Sequence, residues 1–364
     1  MKKLNFIIKY GLALLLLSFY SCESWLNVTP SDRLSEEMLF NDREGFVKAL
    51  NGVYIELNTN ELYGRNLTAG ALDVMGQYYS VASSSHAFYN YGGLVYTGND
   101  EKALFDNMWQ KCYAVIACCN TIIEKCENKA GLSPVWKGSI KGEALALRAM
   151  LHFDMLRLFG PLTSELDKES IPYQTNSDQT VTPLLSGSEV IGLILDDLKN
   201  AVGLLKDTDP YFVEEEFSDT DLNYRRFRMN YFAAKGLMAR VQLWGGDKEK
   251  AAITAKEVIA EGQAEGAEFF PFVTNSEATS SNPDRVFYSE VLFGTYHSSR
   301  EKLHEDLFAP TLESTSILTL AGTARRDDLY DNENDYRYSV WSTYNKNGTS
   351  VLYHRKFEKQ DNVT

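Results

Sequence analysis

The chain has 364 residues, enough for one large domain or two smaller ones with a sizeable core, and its composition of 44% hydrophobic and 24% charged residues is that of a globular protein. Its formal net charge of -14 repels polyanions, and no basic patch interleaved with aromatics offsets it, so nucleic acid is excluded as an expected partner while neutral ligands are not disfavoured. Tyrosine, with 21 copies, is the unusual component; its flat apolar face and polar tip suit ligand contact as well as cores, so position matters more than number.

The N-terminus has the form of an exported leader. Lys2 and Lys3 supply the positive start, Ile7 to Leu17 the apolar run, and Ser21-Cys22 the small residue and thiol at a cut. Residues 1–21 therefore read as a lipoprotein signal peptide, with 22–364 as the mature chain. The run is too short for a comfortable membrane span, which takes about 20 apolar residues. Phe19 is bulkier than the usual residue three positions before such a cut, and an ordinary secretory peptide with an incidental cysteine is the alternative. Acylation of Cys22 by several chains would hold the protein on a membrane surface without crossing it.

Beyond the leader the pattern is helix after helix. Asp42 caps a segment from Arg43 to about Leu57, in which Phe46, Ala49, Leu50, Val53 and Tyr54 recur at spacings of three and four. A second helix runs from about Glu101 to Cys126. A third follows Pro134 and stops at Gly160-Pro161, a glycine followed by a residue that cannot continue a helix. Ser186 and Glu189 form a capping box ahead of a fourth. Asn230 opens a fifth, ending at Gly245-Gly246, and Asp247 caps a sixth, ending at Gly262. The last two form a helix-turn-helix close to one tetratricopeptide repeat in length, with small residues such as Ala233, Ala234, Gly236 and Ala251 permitting close approach. The same scale recurs in residues 101–160. The fold class is mainly α: a tetratricopeptide-like helical repeat scaffold with long irregular aromatic-rich loops, a generic helical bundle being the alternative.

Cys112, Cys119 and Cys126 are seven apart and share a stripe with Ile116 and Ile123, which reads as a packed apolar face. Cysteines so spaced on one helix cannot reach each other, and no paired ligands accompany them for a metal site. Free, buried thiols are expected, and no cofactor.

Residues 73–100 show no helical stripe but hold Tyr78, Tyr79, His86, Phe88, Tyr89, Tyr91 and Tyr96 among serines, glycines and asparagines. Loops of this kind carry binding residues, and aromatic rings suit ligand contact, so Tyr78, Tyr79, His86, Tyr89 and Tyr91 are candidate ligand contacts. The alternative is that these rings pin the loop to the scaffold. Trp341 and Tyr344, in a later group with Tyr336 and Tyr338, are further candidates, either as an opposite cleft wall or as strand packing. Enzyme motifs are absent from the sequence: no G-x-S-x-G, P-loop or H-E-x-x-H occurs. Glu143 reads as a helix residue paired with a nearby cation, and Glu214-Glu215-Glu216 with Asp219 and Asp221 as a solvated loop.

The order of segments resembles the SusD/RagB-type outer-membrane lipoproteins. After the leader, Trp25-Leu26 and Pro30 match that family's opening, and Phe46, Asn51, Gly52 and Tyr54 its first helix. Trp109, Tyr113, Ile116, Asn120 and Ile123 fit the second helix; Gly142-Glu143-Ala144, Leu147-Arg148-Ala149, His152-Phe153 and Leu158-Phe159-Gly160-Pro161 fit the third. Asp197-Leu198 and Ala201 follow, and Asn230, Ala233, Ala234, Leu237, Ala239-Arg240, Leu243, Gly246-Asp247 and Ala251 match the repeat pair.

The resemblance implies a cell-surface lipoprotein, anchored in the outer membrane through Cys22, that binds oligosaccharide without chemistry and delivers it to a TonB-dependent transporter of the SusC type. It also implies that 22–364 is one such helical domain, incomplete at its C-terminus, because family members usually run longer; a fragment and a truncated gene are both compatible with this. A non-catalytic scaffold binding a protein or peptide is the rival expectation.

Overall fold

The fold is described by a computed structural model over residues 36–128, 131–178, 180–213, 216–263, 269–330, 332, 334–355 and 357–359. Six long helices, α1 to α6, form the scaffold. Helix α1 (Arg43–Leu57) starts at Asp42, whose carboxylate accepts from the Gly45 amide at 2.9 Å, and buries Phe46, Leu50, Val53, Tyr54 and Leu57. Gly45 is obligatory: a Cβ there would lie 1.5 Å from the Leu39 carbonyl oxygen.

Helix α2 (Asn99–Asn128) buries Met108, Cys112, Val115, Ile116, Cys119, Ile122 and Cys126, the heptad-like spacing keeping one side apolar. The three cysteines of the predicted stripe are buried and free, while Cys118, off the stripe, is exposed. Helix α3 (Pro134–Phe159), with Pro134 at its start and Ser133 as its cap, is buried almost all round. Helix α4 (Gly187–Thr208) begins in the reciprocal capping box of Ser186 and Glu189. Gly138 and Gly142 of α3 let α4 approach; Cβ atoms at these sites would meet Thr208 at 2.5 Å and Leu205 at 2.7 Å.

Asn230 caps α5 (Tyr231–Trp244) by accepting from Ala233 N at 2.9 Å, and Asp247 caps α6 (Lys248–Gly262) by accepting from Lys250 N at 3.0 Å. Each long helix packs on the next in sequence, with further contact of α3 to α1 and α5. This sequential stacking is the repeat-like scaffold that the spacing predicts.

Two antiparallel strand pairs and several shorter helices, among them Arg300–Leu307 and Thr323–Leu329, accompany the long helices among the described residues. Strands β1 (Glu169–Pro172) and β2 (Leu184–Ser186) bridge α3 to α4. Strands β3 (Trp341–Lys346) and β4 (Thr349–His354) pair in register from Trp341 with His354 to Lys346 with Thr349. Asn347 and Gly348 turn that hairpin with φ of 50° and 83°, the positive angles that a two-residue turn matching strand twist requires. The hairpin, with Phe308, Leu318 and Leu320, folds back on the aromatic loop, where Ser80 N donates to Thr319 O at 2.7 Å.

Two buried polar networks clamp the helices. Arg148 of α3 binds Asp197 of α4 through both prongs at 2.7 Å and donates to Asn120 of α2 at 2.9 Å, while Tyr173 donates to the same Asp197. His152 completes it: Nδ1 lies 2.9 Å from the Arg148 carbonyl oxygen, Nε2 accepts from Gln174 N at 3.0 Å, and its ring stacks on Tyr173 with centroids 4.0 Å apart. In the second network Arg225 joins Asp209 to Glu143, and Glu143 also accepts from Tyr54 at 2.7 Å and from Arg228 at 3.1 Å. Glu143 is thus a paired helix residue.

Candidate functional site

Residues 73–100 are not a free-standing loop but are nailed to the scaffold by half of their rings. Tyr78 and Tyr79 are adjacent and face opposite ways: Tyr78 is 66% exposed, Tyr79 8%. The Tyr79 ring lies 5.3 Å from Phe308 and 6.2 Å from both Trp341 and His354, and burial drives its hydroxyl pKa upward. Trp341 is itself interior, edge-on to His354 at 4.6 Å. The two aromatic groups of the sequence therefore meet, but inside the protein.

Further along, His86, Phe88 and Tyr91 are also buried. His86 Nδ1 accepts from Phe88 N at 3.0 Å, and burial lowers its pKa. Tyr91, whose pKa burial pushes up to about 12, stands 6.0 Å from Phe105 of α2, and that ring leads through Phe159 of α3 to Trp109. Asn90 ties the segment to α2 by donating to Glu101 at 2.9 Å. Tyr79, His86, Tyr91 and Trp341 present no open face to a ligand in this arrangement; Tyr78, Tyr89 (42% exposed) and Tyr344 (43% exposed) do. Tyr344 is three residues beyond Trp341 on β3, so the period-two alternation puts it on the opposite strand face. Cys22 and the Trp25-Leu26 opening lie outside the described residues, as do Glu214 and Glu215.

A second surface has more rings in contact, and none of its members was singled out by the sequence. Tyr224 precedes the turn Arg225–Phe227 and Phe227 ends it, their ring centroids 6.2 Å apart and planes 31° apart. Phe227 lies 5.6 Å from Tyr288 at 32°, and Tyr296 meets it edge-on at 5.5 Å. Tyr224 and Tyr296 are more than half exposed. The supports are rigid: Arg225 is locked in its ion network, Gly294 N donates to Arg226 O at 3.0 Å, and Asn58 donates to the Tyr296 carbonyl at 2.8 Å. The available sequence signal was the i, i+3 pair Tyr224 and Phe227 amid three arginines. The joining of that turn to residues 288–296 has no local signature.

No described helix is long and apolar enough to cross a membrane. The fold and these ring surfaces define a helical-repeat scaffold that displays aromatics on connecting segments. A family model described as "Starch-binding associating with outer membrane", SusD-like, matches residues 24–243, more than half of the chain. The chain belongs to the SusD-like family. Among curated relatives, it is 25% identical over 265 residues to SusD-like protein P2 of Formosa agariphila, covering 71% of this chain and 46% of that one. It is 30% identical over 146 residues to a SusD-like protein of Bacteroides ovatus, covering 39% and 23%. The chain thus spans less than half the length of these relatives. The fold matches a solved SusD-like carbohydrate binding protein of Bacteroides vulgatus at a TM-score of 0.65, with 19% identity, over 88% of this chain and 66% of that one. A SusD superfamily protein of Bacteroides thetaiotaomicron matches at 0.58, with 20% identity, over 84% and 66%.

Proposed function

We propose that this protein is a non-catalytic receptor that captures oligosaccharide at the outer-membrane surface, held there by lipid on Cys22, and passes it to a TonB-dependent transporter of the SusC type. The observation that carries the reading is the ring cluster of Tyr224, Phe227, Tyr288 and Tyr296, in which Tyr224 and Tyr296 are exposed, Phe227 and Tyr288 are half-buried, and the Arg226 guanidinium lies over the Tyr288 ring, so the exposed members offer apolar faces to sugar rings. Tyr78, Tyr89 and Tyr344 are proposed as additional contacts, with Tyr79, His86, Tyr91 and Trp341 as the groups that hold their segments in place. Family membership supports both the carbohydrate and the outer membrane.

The test is affinity electrophoresis and calorimetry of the purified chain against a panel of neutral glycans. Each true stacking ring should contribute about 0.5–1.5 kcal/mol, so Tyr224→Ala or Tyr296→Ala should weaken binding several-fold. A folded double variant that binds as the parent does would move the site away from the cluster. A panel without any binder, alongside capture of peptides, would favour the interaction-scaffold reading. Loss of palmitate labelling in Cys22→Ala tests the anchor, and co-purification with a SusC-type barrel tests the transporter.

A further inference from the structure

A cleft of about 260 Å³ lies between residues 278–287 and the base of the β3/β4 hairpin. Arg285 and Arg355 stand in its wall with Phe287 and Tyr336, whose rings are 6.3 Å apart, and with the hydroxyl-bearing Ser280 and Ser281. We propose that this cleft binds one acidic sugar residue, its carboxylate or sulfate gripped by Arg285 and Arg355 and its ring lying against Phe287 and Tyr336. The proposal rests on the reading of the protein as a saccharide receptor and adds the class of sugar it accepts.

The first argument is a surplus of donors. A guanidinium carries five N–H groups in a planar fork. The Arg285 side chain is only 7% exposed, yet among the described residues its Nη1 is buried with no hydrogen-bond partner. Its ion partner, Glu358, is 3.5 Å from Nη2 and is already held by Arg355 Nε at 2.7 Å. Two guanidinium groups therefore share one carboxylate. Asp284, also on the wall, brings the formal charge of the four groups to zero, but its oxygens are taken by the amides of Val286 at 3.0 Å and Tyr288 at 2.7 Å. It makes no hydrogen bond or ion pair with Arg285. A buried charged donor without an acceptor is costly; because Nη1 is itself sealed from solvent, an anion in the cleft would first engage the 32%-exposed Arg355 and would reach Arg285 Nη1 by a shift of that side chain. Burial, aided by the nearby Arg355 charge, lowers the Arg285 pKa, in the sense expected for a cation short of acceptors.

The second argument is backbone strain at the same place. Phe287 has φ 51° and ψ 55°, a left-handed conformation that a bulky residue adopts only under strain. That conformation is what sets the Phe287 ring on the cleft wall beside Tyr336, which is fixed in turn by its hydroxyl donating to Asn275 at 3.2 Å. The volume is slightly below the usual ligand range, which begins near about 300 Å³, so it suits a single sugar residue and not a chain.

The experiment is calorimetry on the full chain with three probes: glucuronate, glucose 6-sulfate and glucose. Binding of an acidic sugar but not of glucose is expected, weakening several-fold between about 0.1 M and about 1 M salt as the screening length falls from about 10 Å to about 3 Å. The two acidic probes separate a carboxylate from a sulfate preference. Arg285→Gln should lower that affinity by about tenfold or more while leaving binding of a neutral glycan at the Tyr224 cluster unchanged. Should Arg285→Gln fail to fold, the more exposed Arg355→Gln takes its place, and the comparison of the three sugars with the unaltered protein decides by itself. Equal affinity for glucose and glucuronate, no binding of either acid, or full binding by a folded Arg285→Gln would each overturn the proposal. Absence of neutral glycan binding would defeat the receptor reading at the Tyr224 cluster without touching these monosaccharide results.

Discussion

Arg225 and Asp209 form a two-pronged ion pair at the centre of the scaffold, Nε to Oδ1 at 3.0 Å and Nη2 to Oδ2 at 2.6 Å, with both side chains essentially sealed from solvent. The pair stands between the end of α4 and the start of α5, and Asp209 also accepts from Tyr231 N at 2.8 Å, so one carboxylate both neutralises the arginine and terminates a helix N-terminus. Glu143 brings α3 into the same network, and Tyr54 brings α1.

Removal of Arg225 should therefore be among the most damaging single changes. Arg225→Leu leaves Asp209 and Glu143 as buried carboxylates without their main cation, a situation that costs about 3–5 kcal/mol. Denaturant titration should show the loss as a lower midpoint. A penalty below about 1 kcal/mol would mean that Arg228, already 3.1 Å from Glu143, rearranges to compensate.

The His152 ring predicts an acid weakness. Burial lowers its pKa from 6.5 to about 3, because the neutral ring is satisfied on both nitrogens and a proton there has no acceptor left. The unfolded chain takes up the proton near pH 6.5 and the folded chain does not until about pH 3, so stability present above 6.5 is lost progressively as pH falls through that window. Between about pH 7.5 and about pH 5 the loss from this residue should be about 2 kcal/mol. Burial lowers the pKa of His86 and His304 as well, with the same sign. The decisive measurement is the pH slope of unfolding free energy in His152→Gln, which should be shallower than in the parent; an unchanged slope would assign the acid sensitivity elsewhere.

Helix boundaries were the most legible part of the structure, because a cap is a local signal: Asp42, the Ser186–Glu189 box, Asn230 and Asp247 each act within three residues of themselves. The cysteine stripe was legible for the same reason, through helical period. The aromatic loop was not. Tyr78 and Tyr79 have the same chemistry and neighbouring positions, and what separates them is Phe308, Trp341 and His354, which arrive from far along the chain. Without a period, residues 73–100 carry no sign of which ring turns inward. Arg225 was invisible for a related reason: a buried arginine on a short turn looks like a surface residue until its partners from α3 and the end of α4 are known.

The thiols should differ in reactivity along one helix. Burial raises the pKa of Cys112, Cys119 and Cys126, that of Cys126 to about 12, so little thiolate exists at neutral pH and reagent access is blocked. Cys118 is the exposed one of the four, although its pKa is raised too. Labelling of native protein followed by peptide mapping should mark Cys118 slowly and the other three only after denaturant. Prompt native labelling of Cys119 would show that α2 opens locally.

The two neighbouring tyrosines give the sharpest separation of support from contact. Tyr79→Ala removes a ring enclosed by Phe308, Trp341 and His354 and should cost about 3 kcal/mol or more, as large aromatic truncations in cores do. Tyr78→Ala removes a ring that is 66% exposed and should change stability by no more than about 0.5 kcal/mol. If Tyr78 touches saccharide, the same substitution weakens glycan binding several-fold at unchanged stability, a combination that packing alone does not produce. Thermal unfolding and calorimetry on the two variants side by side make the comparison. Equal destabilisation by both would mean that Tyr78 packs against something the exposed face does not show, and loss of binding in Tyr79→Ala alone would make the contact indirect, through the loop that this ring pins.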